Sequence, residues 1–172
     1  EHGPDSHVVL LTTSEVLIDA VTTEIENFTK QLSRKEIIKK SLSNSVIILV
    51  HDLKEAIAIS NNYAPEHLIL SVVNAEEVAE KVINAGSVFL GNYSPESAGD
   101  YASGTNHTLP TNGFASTYSG VSLDSFMKKI TFQKLTKDGL TKLGKTIQVM
   151  AEEEGMDAHK LAISIRTEND NG

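Results

Sequence analysis

Residues 46–90 read VIILVHDLKEAIAISNNYAPEHLILSVVNAEEVAEKVINAGSVFL, and apolar runs alternate there with segments of helical spacing. The runs are short and rich in β-branched residues, which favours strands. We predict strands at residues 46–50, 68–73 and 87–90. Asp52 and Asn74 stand where the intervening helices need N-terminal caps, and Gly86 stands where the second of these helices should end. Strands that alternate with helices through short connections are typical of a parallel α/β sheet.

The same pattern begins earlier in the chain. Residues 7–12 form an apolar run suited to a buried parallel strand, and Ser14 precedes a helical pattern over residues 15–32. The predicted fold class is therefore α/β: an incomplete, Rossmann-like parallel sheet with helices, followed by a mainly helical C-terminal arm.

The arm is predicted from a change in composition, because the Ser, Thr, Gly and Asn of residues 111–122 interrupt the alternation. We place the boundary near residue 121, with the α/β portion at 1–121 and the arm at 122–172. Thr136 is expected to cap a helix with one apolar face. That face comprises Leu140, Leu143, Ile147 and Met150. A segment of roughly fifty residues with one apolar stripe cannot form an independent core, so the arm is expected to pack on another surface.

Composition and charge exclude several classes of function. The 172 residues carry a net charge of -8 with dispersed lysines, which argues against nucleic acid because phosphate binding needs clustered Lys and Arg. No apolar run approaches the ~20 residues of a membrane span, and residues 1–7 lack the features of a signal peptide, so we expect a cytoplasmic protein without membrane contact. The absence of cysteine leaves His, carboxylate, amide or water as metal ligands.

The segment with the densest chemistry is residues 91–112, GNYSPESAGDYASGTNHTLPTN. Structureless loops longer than ~12–15 residues are uncommon in compact domains unless they are functional or disordered. Disorder is the alternative, but Tyr93 and Tyr101 and the buried-looking strand before the loop argue against it. We interpret the segment as a site loop. It leaves the carboxyl end of a predicted strand, where ligand crevices of α/β sheets lie.

Several other side chains are candidates for proton transfer or metal binding. Glu66 and His67 are adjacent at the junction of a helix and a strand, and unperturbed pKa values of ~4.3 and ~6.5 make either a plausible proton acceptor. A solvated, structural role is the alternative for this pair. Asp100 and His107 are potential ligands in the loop, but their spacing matches no compact metal signature.

The remaining histidines are isolated in the sequence. His2 and His159 lie near opposite ends of the chain and are by themselves typical of surface residues. His7 begins a predicted strand and His51 follows one, so both are assigned structural roles.

Four stretches of the chain together resemble the histidinol dehydrogenase family, in its C-terminal part. They are EHGPDS at residues 1–6, APEHL at 64–68, AGSVFLGNYSPESAGDYASGTNHTLPTNG at 85–113 and EGMDAHK at 154–160. The resemblance runs in order through essentially the whole chain, and the long central block is highly specific.

The resemblance implies a zinc-dependent enzyme that oxidises L-histidinol to L-histidine through the aldehyde, using two NAD, in the last steps of histidine biosynthesis. Chains of the family are more than twice this length, so it also implies a fragment. A glutamine zinc ligand, three residues before the position of His2, and most of the NAD contacts would lie outside it. We therefore expect the fragment alone to be inactive. We also expect the fragment to bind zinc weakly or not at all, because His2 would sit on an untethered terminus and His159 on a mobile arm.

Residue roles follow from the same resemblance. The implied zinc ligands are His2, Asp100 and His159, and the implied proton acceptors are Glu66 and His67. The substrate would be contacted by His2, His67, Asp100, His107, Glu154 and His159. The family also implies an intertwined homodimer, in which the arm exchanges and brings His159 to the partner's site.

Two hypotheses of different class remain open at this point. The first is part of a histidinol dehydrogenase. The second is a non-catalytic α/β binding module with a polar ligand loop. The central loop block and the adjacent Glu66 and His67 favour the enzyme.

Overall fold

The structure of the protein, a computed structural model, describes residues 2–167. The chain divides into two compact units, Glu1–Phe126 and Met127–Gly172, a few residues beyond the boundary predicted near residue 121. The last residues of the predicted arm, 168–172, lie outside the described part.

The first unit contains parallel strands hydrogen-bonded in two pairs. The strands are β1 Val9–Thr12, β2 Val46–Leu49, β3 His67–Leu70 and β4 Ser87–Leu90. Strand β1 pairs with β2, with Val9 opposite Val46, and β3 pairs with β4, with His67 opposite Ser87. Parallel pairs joined through helices confirm the predicted α/β class.

The helices of the first unit begin largely where the sequence indicates. They are α1 Glu15–Gln31, α2 Lys35–Ser43, α3 Leu53–Tyr63, α4 Ala75–Ala79 and α5 Glu96–Tyr101, with short 3₁₀ turns at Phe114–Ser116 and Leu123–Phe126. The Ser14 side chain accepts a hydrogen bond from the Leu17 amide at 3.3 Å, and Asp52 accepts one from Glu55 at 2.8 Å. Both predicted caps are therefore confirmed, and each satisfies an amide that the helix itself leaves unpaired.

The prediction for α4 is wrong in two respects. The helix ends at Ala79 instead of continuing to Gly86, and Asn74 makes no side-chain capping bond to the backbone. The reason lies in a contact with α3: the Asn61 side chain donates to Lys81 O at 2.9 Å and accepts from the Ile83 amide at 2.9 Å. These bonds hold residues 81–84 in a turn, so tertiary contacts override the helical pattern.

The core of the first unit lies between α3, β3 and α4. Ile57, Leu70, Ala75 and Val78 are buried together, and Val88 packs against them from β4. This core fixes the β3–β4 pair. Within residues 2–167, no helix combines the length and apolar character that a bilayer crossing needs.

The second unit is a helical hairpin of α6 Lys137–Glu153 and α7 Asp157–Thr167. Thr136 caps α6 as predicted, accepting from the Gly139 amide at 3.1 Å. Gly155 turns the chain with a φ of 69°, in the left-handed region where glycine is favoured. The Gln148 side chain donates to Ser164 Oγ at 2.8 Å, which ties the two helices together.

Candidate metal and acid–base site

The site begins at the junction of α3 and β3. The chain leaves α3 through Ala64, which is 2% exposed and adopts the left-handed conformation with a φ of 52°. Pro65 O then accepts the Gly86 amide, and Glu66 O accepts the Ser87 amide, both at 2.9 Å. The start of β4 therefore holds the backbone of the two predicted proton acceptors from one side.

His67 is the first residue of β3, and its side chain is 22% exposed. The imidazole stacks on Phe89, with ring centroids 5.9 Å apart at 28°. Nε2 lies 3.8 Å from Glu96 Oε1, a distance too long for a hydrogen bond. Among residues 2–167 this buried nitrogen has no hydrogen-bond partner. Buried polar atoms are usually paired, so at this Nε2 the protein leaves one hydrogen bond unmade.

The predicted site loop contains a helix that the sequence pattern did not reveal. Helix α5 carries Glu96 and Asp100 four residues apart, which places both carboxylates on one face. Gly99 allows the helix to approach β4, because a Cβ there would lie 2.7 Å from the Phe89 ring. The loop thus folds back from the carboxyl end of β4. Glu96 thereby lies near His67 at the start of β3, and not at the carboxyl end where we expected the crevice.

His2 joins the two carboxylates of α5. One ligand atom from each of His2, Glu96 and Asp100 can be chosen so that all three lie within 4.8 Å of one another. This is the arrangement of a candidate cation site, and imidazole nitrogen and carboxylate oxygen are both donors that zinc accepts. Of the sequence-predicted zinc ligands, the structure brings His2 and Asp100 together. Glu96 lies in the predicted site loop, but it was not among the predicted ligands.

The electrostatics of α5 fit a bound cation. Burial raises the pKa of Glu96, as do a hydrogen bond with Asp100 and the charge of that residue, while His67 and His2 lower it. Two neighbouring carboxylates repel each other unless a proton or a positive ion lies between them. A divalent ion would therefore relieve this repulsion.

The segment that carries His2 is not free, contrary to the expectation of an untethered terminus. Arg34 donates to His2 O at 3.4 Å, and Asn44 donates to Pro4 O at 3.3 Å. His7 and Tyr63 also share a short hydrogen bond between Nε2 and the phenol oxygen. These contacts therefore hold residues 2–7. They come from residues that flank α2 and from the end of α3, all far away in the sequence.

The other predicted site residues lie outside this group. His107 is exposed in the loop, and Glu66 is half-buried directly before His67. Glu154 and His159 belong to the second unit, where both are exposed. Glu154 is the C-terminal cap residue of α6, and His159 lies in the first turn of α7. Their assignment to the site stays a prediction.

The signal that could have found Glu96 is its spacing from Asp100. An i, i+4 pair of acids is informative only if the segment is helical. The sequence PESAGDY hides that helix, because Ser and Gly have weak helical propensity and the helix has six residues.

Comparisons of sequence and structure with known proteins point to one family. The family profile described as histidinol dehydrogenase matches residues 1–167. Histidinol dehydrogenases from Bacteroides fragilis strain YCH46 and Vibrio cholerae are 57% and 54% identical over 168 residues, covering 98% of this chain. A crystal structure of histidinol dehydrogenase from Elizabethkingia anophelis superposes with a TM-score of 0.94 at 56% identity, covering 99% of this chain and 40% of that one. The chain spans about 39% of the length of these curated relatives. It belongs to the histidinol dehydrogenase family.

Proposed function

We propose that this chain supplies metal ligands and proton acceptors to a zinc-dependent histidinol dehydrogenase. The reaction is the oxidation of L-histidinol to L-histidine through histidinaldehyde, with two NAD consumed, in the last steps of histidine biosynthesis. The observation that carries the proposal is the grouping of His2, Glu96 and Asp100 beside the unpaired Nε2 of His67. Because the chain spans about 39% of its relatives, the proposal concerns the longer enzyme.

His2 and Asp100 are the residues of the first unit that would hold zinc, with His159 contributed from the arm of a partner subunit. When bound, zinc supplies a positive charge that orients the substrate and stabilises negative charge. The paired carboxylates of α5 suit such an ion, because burial and their mutual repulsion already disfavour two negative charges there.

His67 would accept the proton of the alcohol when hydride leaves, and NAD when bound supplies the hydride acceptor. The Nε2 atom has no partner within residues 2–167, so the protein itself makes no hydrogen bond there that would compete with a substrate hydroxyl. Glu66 would activate the water needed to oxidise the aldehyde, because a carboxylate is a suitable base for water. His107 and Glu154 would contact the substrate. The residues that bind NAD are expected mostly outside this chain.

The proposed setting is a cytoplasmic homodimer with exchanged C-terminal arms. The arm provides the predicted ligand His159, so the proposed site is incomplete without a second copy.

The test is a chimera in which this chain replaces the matching part of the Elizabethkingia anophelis enzyme, which is 56% identical. We expect stoichiometric zinc and NAD reduction with L-histidinol. His67→Asn should lower turnover with both alcohol and aldehyde substrates by ~10²–10⁴-fold, the usual contribution of a general base. His51→Asn is the matched control, because His51 is exposed after β2 and lies outside the site.

A folded chimera that binds zinc but never reduces NAD would instead support the binding-module alternative. The 172-residue chain alone should not reduce NAD with histidinol. Turnover by the isolated chain would contradict the assignment of the cofactor site to the rest of the enzyme.

A further inference from the structure

A hydrogen bond between Tyr63 and His7 joins parts of the first unit that are 56 positions apart in the sequence. The phenol oxygen meets Nε2 of the imidazole, and the rings pack edge to face with centroids 6.0 Å apart at 89°. Burial raises the pKa of the Tyr63 phenol, so the neutral form is favoured as donor or acceptor. The bond can form with either imidazole tautomer, since a phenol both donates and accepts.

Each partner stands beside a segment of the candidate site. His7 ends the tethered stretch that begins at His2, and the strand β1 follows shortly after it. Tyr63 is the last residue of α3, and only the buried Ala64 and Pro65 separate it from Glu66. The bond therefore links the backbone that carries a candidate metal ligand to the backbone that carries the candidate bases.

We propose that Tyr63 is a positioning residue, whose hydrogen bond with His7 holds the His2 segment beside the Glu66 and His67 segment. The expected effect on metal binding rests on the proposed function. The tether, by which we mean the link that this hydrogen bond makes between the two segments, does not. Arg34 and Asn44 also reach this segment, but through backbone carbonyls at 3.4 and 3.3 Å, the long end of the hydrogen-bond range. The Tyr63 bond is the contact that ties this segment to the end of α3, so its loss should free the segment there.

The first measurement is the zinc affinity of the chimera with the Elizabethkingia anophelis enzyme, obtained by competition with a chromophoric chelator. Tyr63→Phe keeps the ring and removes the bond, and affinity should fall about threefold to tenfold, the usual net contribution of one hydrogen bond. Tyr118→Phe is the matched control, because Tyr118 is 66% exposed, lies outside residues 91–112 and should change affinity less than about twofold. Equal losses in both variants would overturn the proposal.

Variants of His7 separate the bond from ring packing. His7→Gln places an amide near the position of Nε2 and should retain most of the affinity, whereas His7→Ala, which removes the bond and the ring packing together, should lose at least as much as Tyr63→Phe. The double variant Tyr63→Phe with His7→Ala should lose no more than His7→Ala alone, since both changes remove the same hydrogen bond. Additive losses would show that the two residues act independently.

The second measurement does not depend on metal at all. Amide hydrogen exchange followed by NMR, with chelator present, should show faster exchange at Ser6 and Val8 in Tyr63→Phe. The Ser6 amide donates to Gly3 O at 3.2 Å, and that of Val8 donates to Ser45 Oγ at 2.9 Å, so both report on the order of the segment. Unchanged exchange would disprove the tether. If the 172-residue chain shows this protection but the chimera holds no measurable zinc, the proposed metal site fails while the tether stands.

Discussion

Gly86 illustrates how one residue can determine the geometry of the proposed bases. A Cβ at this position would lie 2.5 Å from Glu66 O and 3.3 Å from Leu109 Cβ. The carbonyl belongs to the peptide between Glu66 and His67, and it cannot rotate away without moving both. In the chimera with the Elizabethkingia anophelis enzyme, Gly86→Ala should therefore lower kcat by roughly ten- to a hundredfold, since small misplacements of catalytic groups are costly.

The measurement is steady-state kinetics with histidinol, together with the zinc content of the variant. Gly139→Ala serves as the control, because Gly139 lies in α6 and the closest atom to its Cβ would be a side-chain hydroxyl at 3.2 Å. Alanine is also favoured over glycine within a helix. A normal kcat in Gly86→Ala would show that the peptide between Glu66 and His67 can move without loss of activity.

Glu96 should make the stability of the metal-free chain depend on pH. Its pKa in the folded state is raised above 4.5 by burial and by Asp100, so folding favours the protonated form. The resulting stabilisation of the folded state is fully present below pH 4.5, and it is lost as pH rises through the raised pKa. Urea unfolding with chelator present should show that the free energy of unfolding of Glu96→Gln falls less with rising pH than that of the unmodified chain.

Glu36→Gln is a control of opposite sign. A hydrogen bond and the charge of Lys39 lower the pKa of Glu36, so its contribution is present above pH 4.5 and is lost as pH falls through the lowered pKa. Stability curves of Glu96→Gln and the unmodified chain that run parallel between pH 4 and 7 would contradict the assignment.

The contact between α3 and the turn after α4 shows how one helix directs the position of another element. Asn61 binds Lys81 O and the Ile83 amide through its side chain, and its own carbonyl accepts from the Asn84 side chain at 2.8 Å. Asn61→Ala should lower the free energy of unfolding by about 1–2 kcal/mol, because it leaves a carbonyl and an amide without partners.

Chemical denaturation of the chain measures this change. Asn62→Ala is the matched control, since Asn62 is exposed on the same helix and should alter stability by less than about 0.5 kcal/mol. Indistinguishable midpoints for the two variants would argue against the proposed role of the turn contact.

The association of whole chains should depend on the predicted arm, residues 122–172. Leu143 and Met150 of the predicted apolar stripe are 48% and 59% exposed, which leaves costly apolar surface in water. A second copy can cover such surface, so we predict a solution mass of twice 18.6 kDa for the chain. Deletion of residues 122–172 should give a monomer.

Sedimentation equilibrium tests this prediction. Point variants are measured as well, so that the test does not depend on a deletion variant that fails to fold. Leu143→Glu should weaken the dimer, whereas Thr146→Glu, at an exposed position of the same helix, should not. A full-length chain that stays monomeric at high concentration would rule out arm exchange.

Local sequence was enough to predict the class of fold and the starts of its main elements. Ser14, Asp52 and Thr136 cap helices as predicted, because a cap depends on a side chain and an amide only three residues apart. The parallel strands were visible as short apolar runs, since apolar and β-branched side chains suit a buried, pleated surface. The family, too, was recognisable from ordered motifs alone.

Only the tertiary structure decided where the chemistry converges. Glu96 reaches His67 because Gly99 lets a short helix pack on Phe89, a contact that weak helical propensity concealed. The early end of α4 and the tether on His2 likewise depend on Asn61, Asn44 and Tyr63, whose partners are 20 to 56 positions away. Such contacts form because burial and hydrogen bonding across the core outweigh local preference, and a pattern of neighbouring residues carries no record of them.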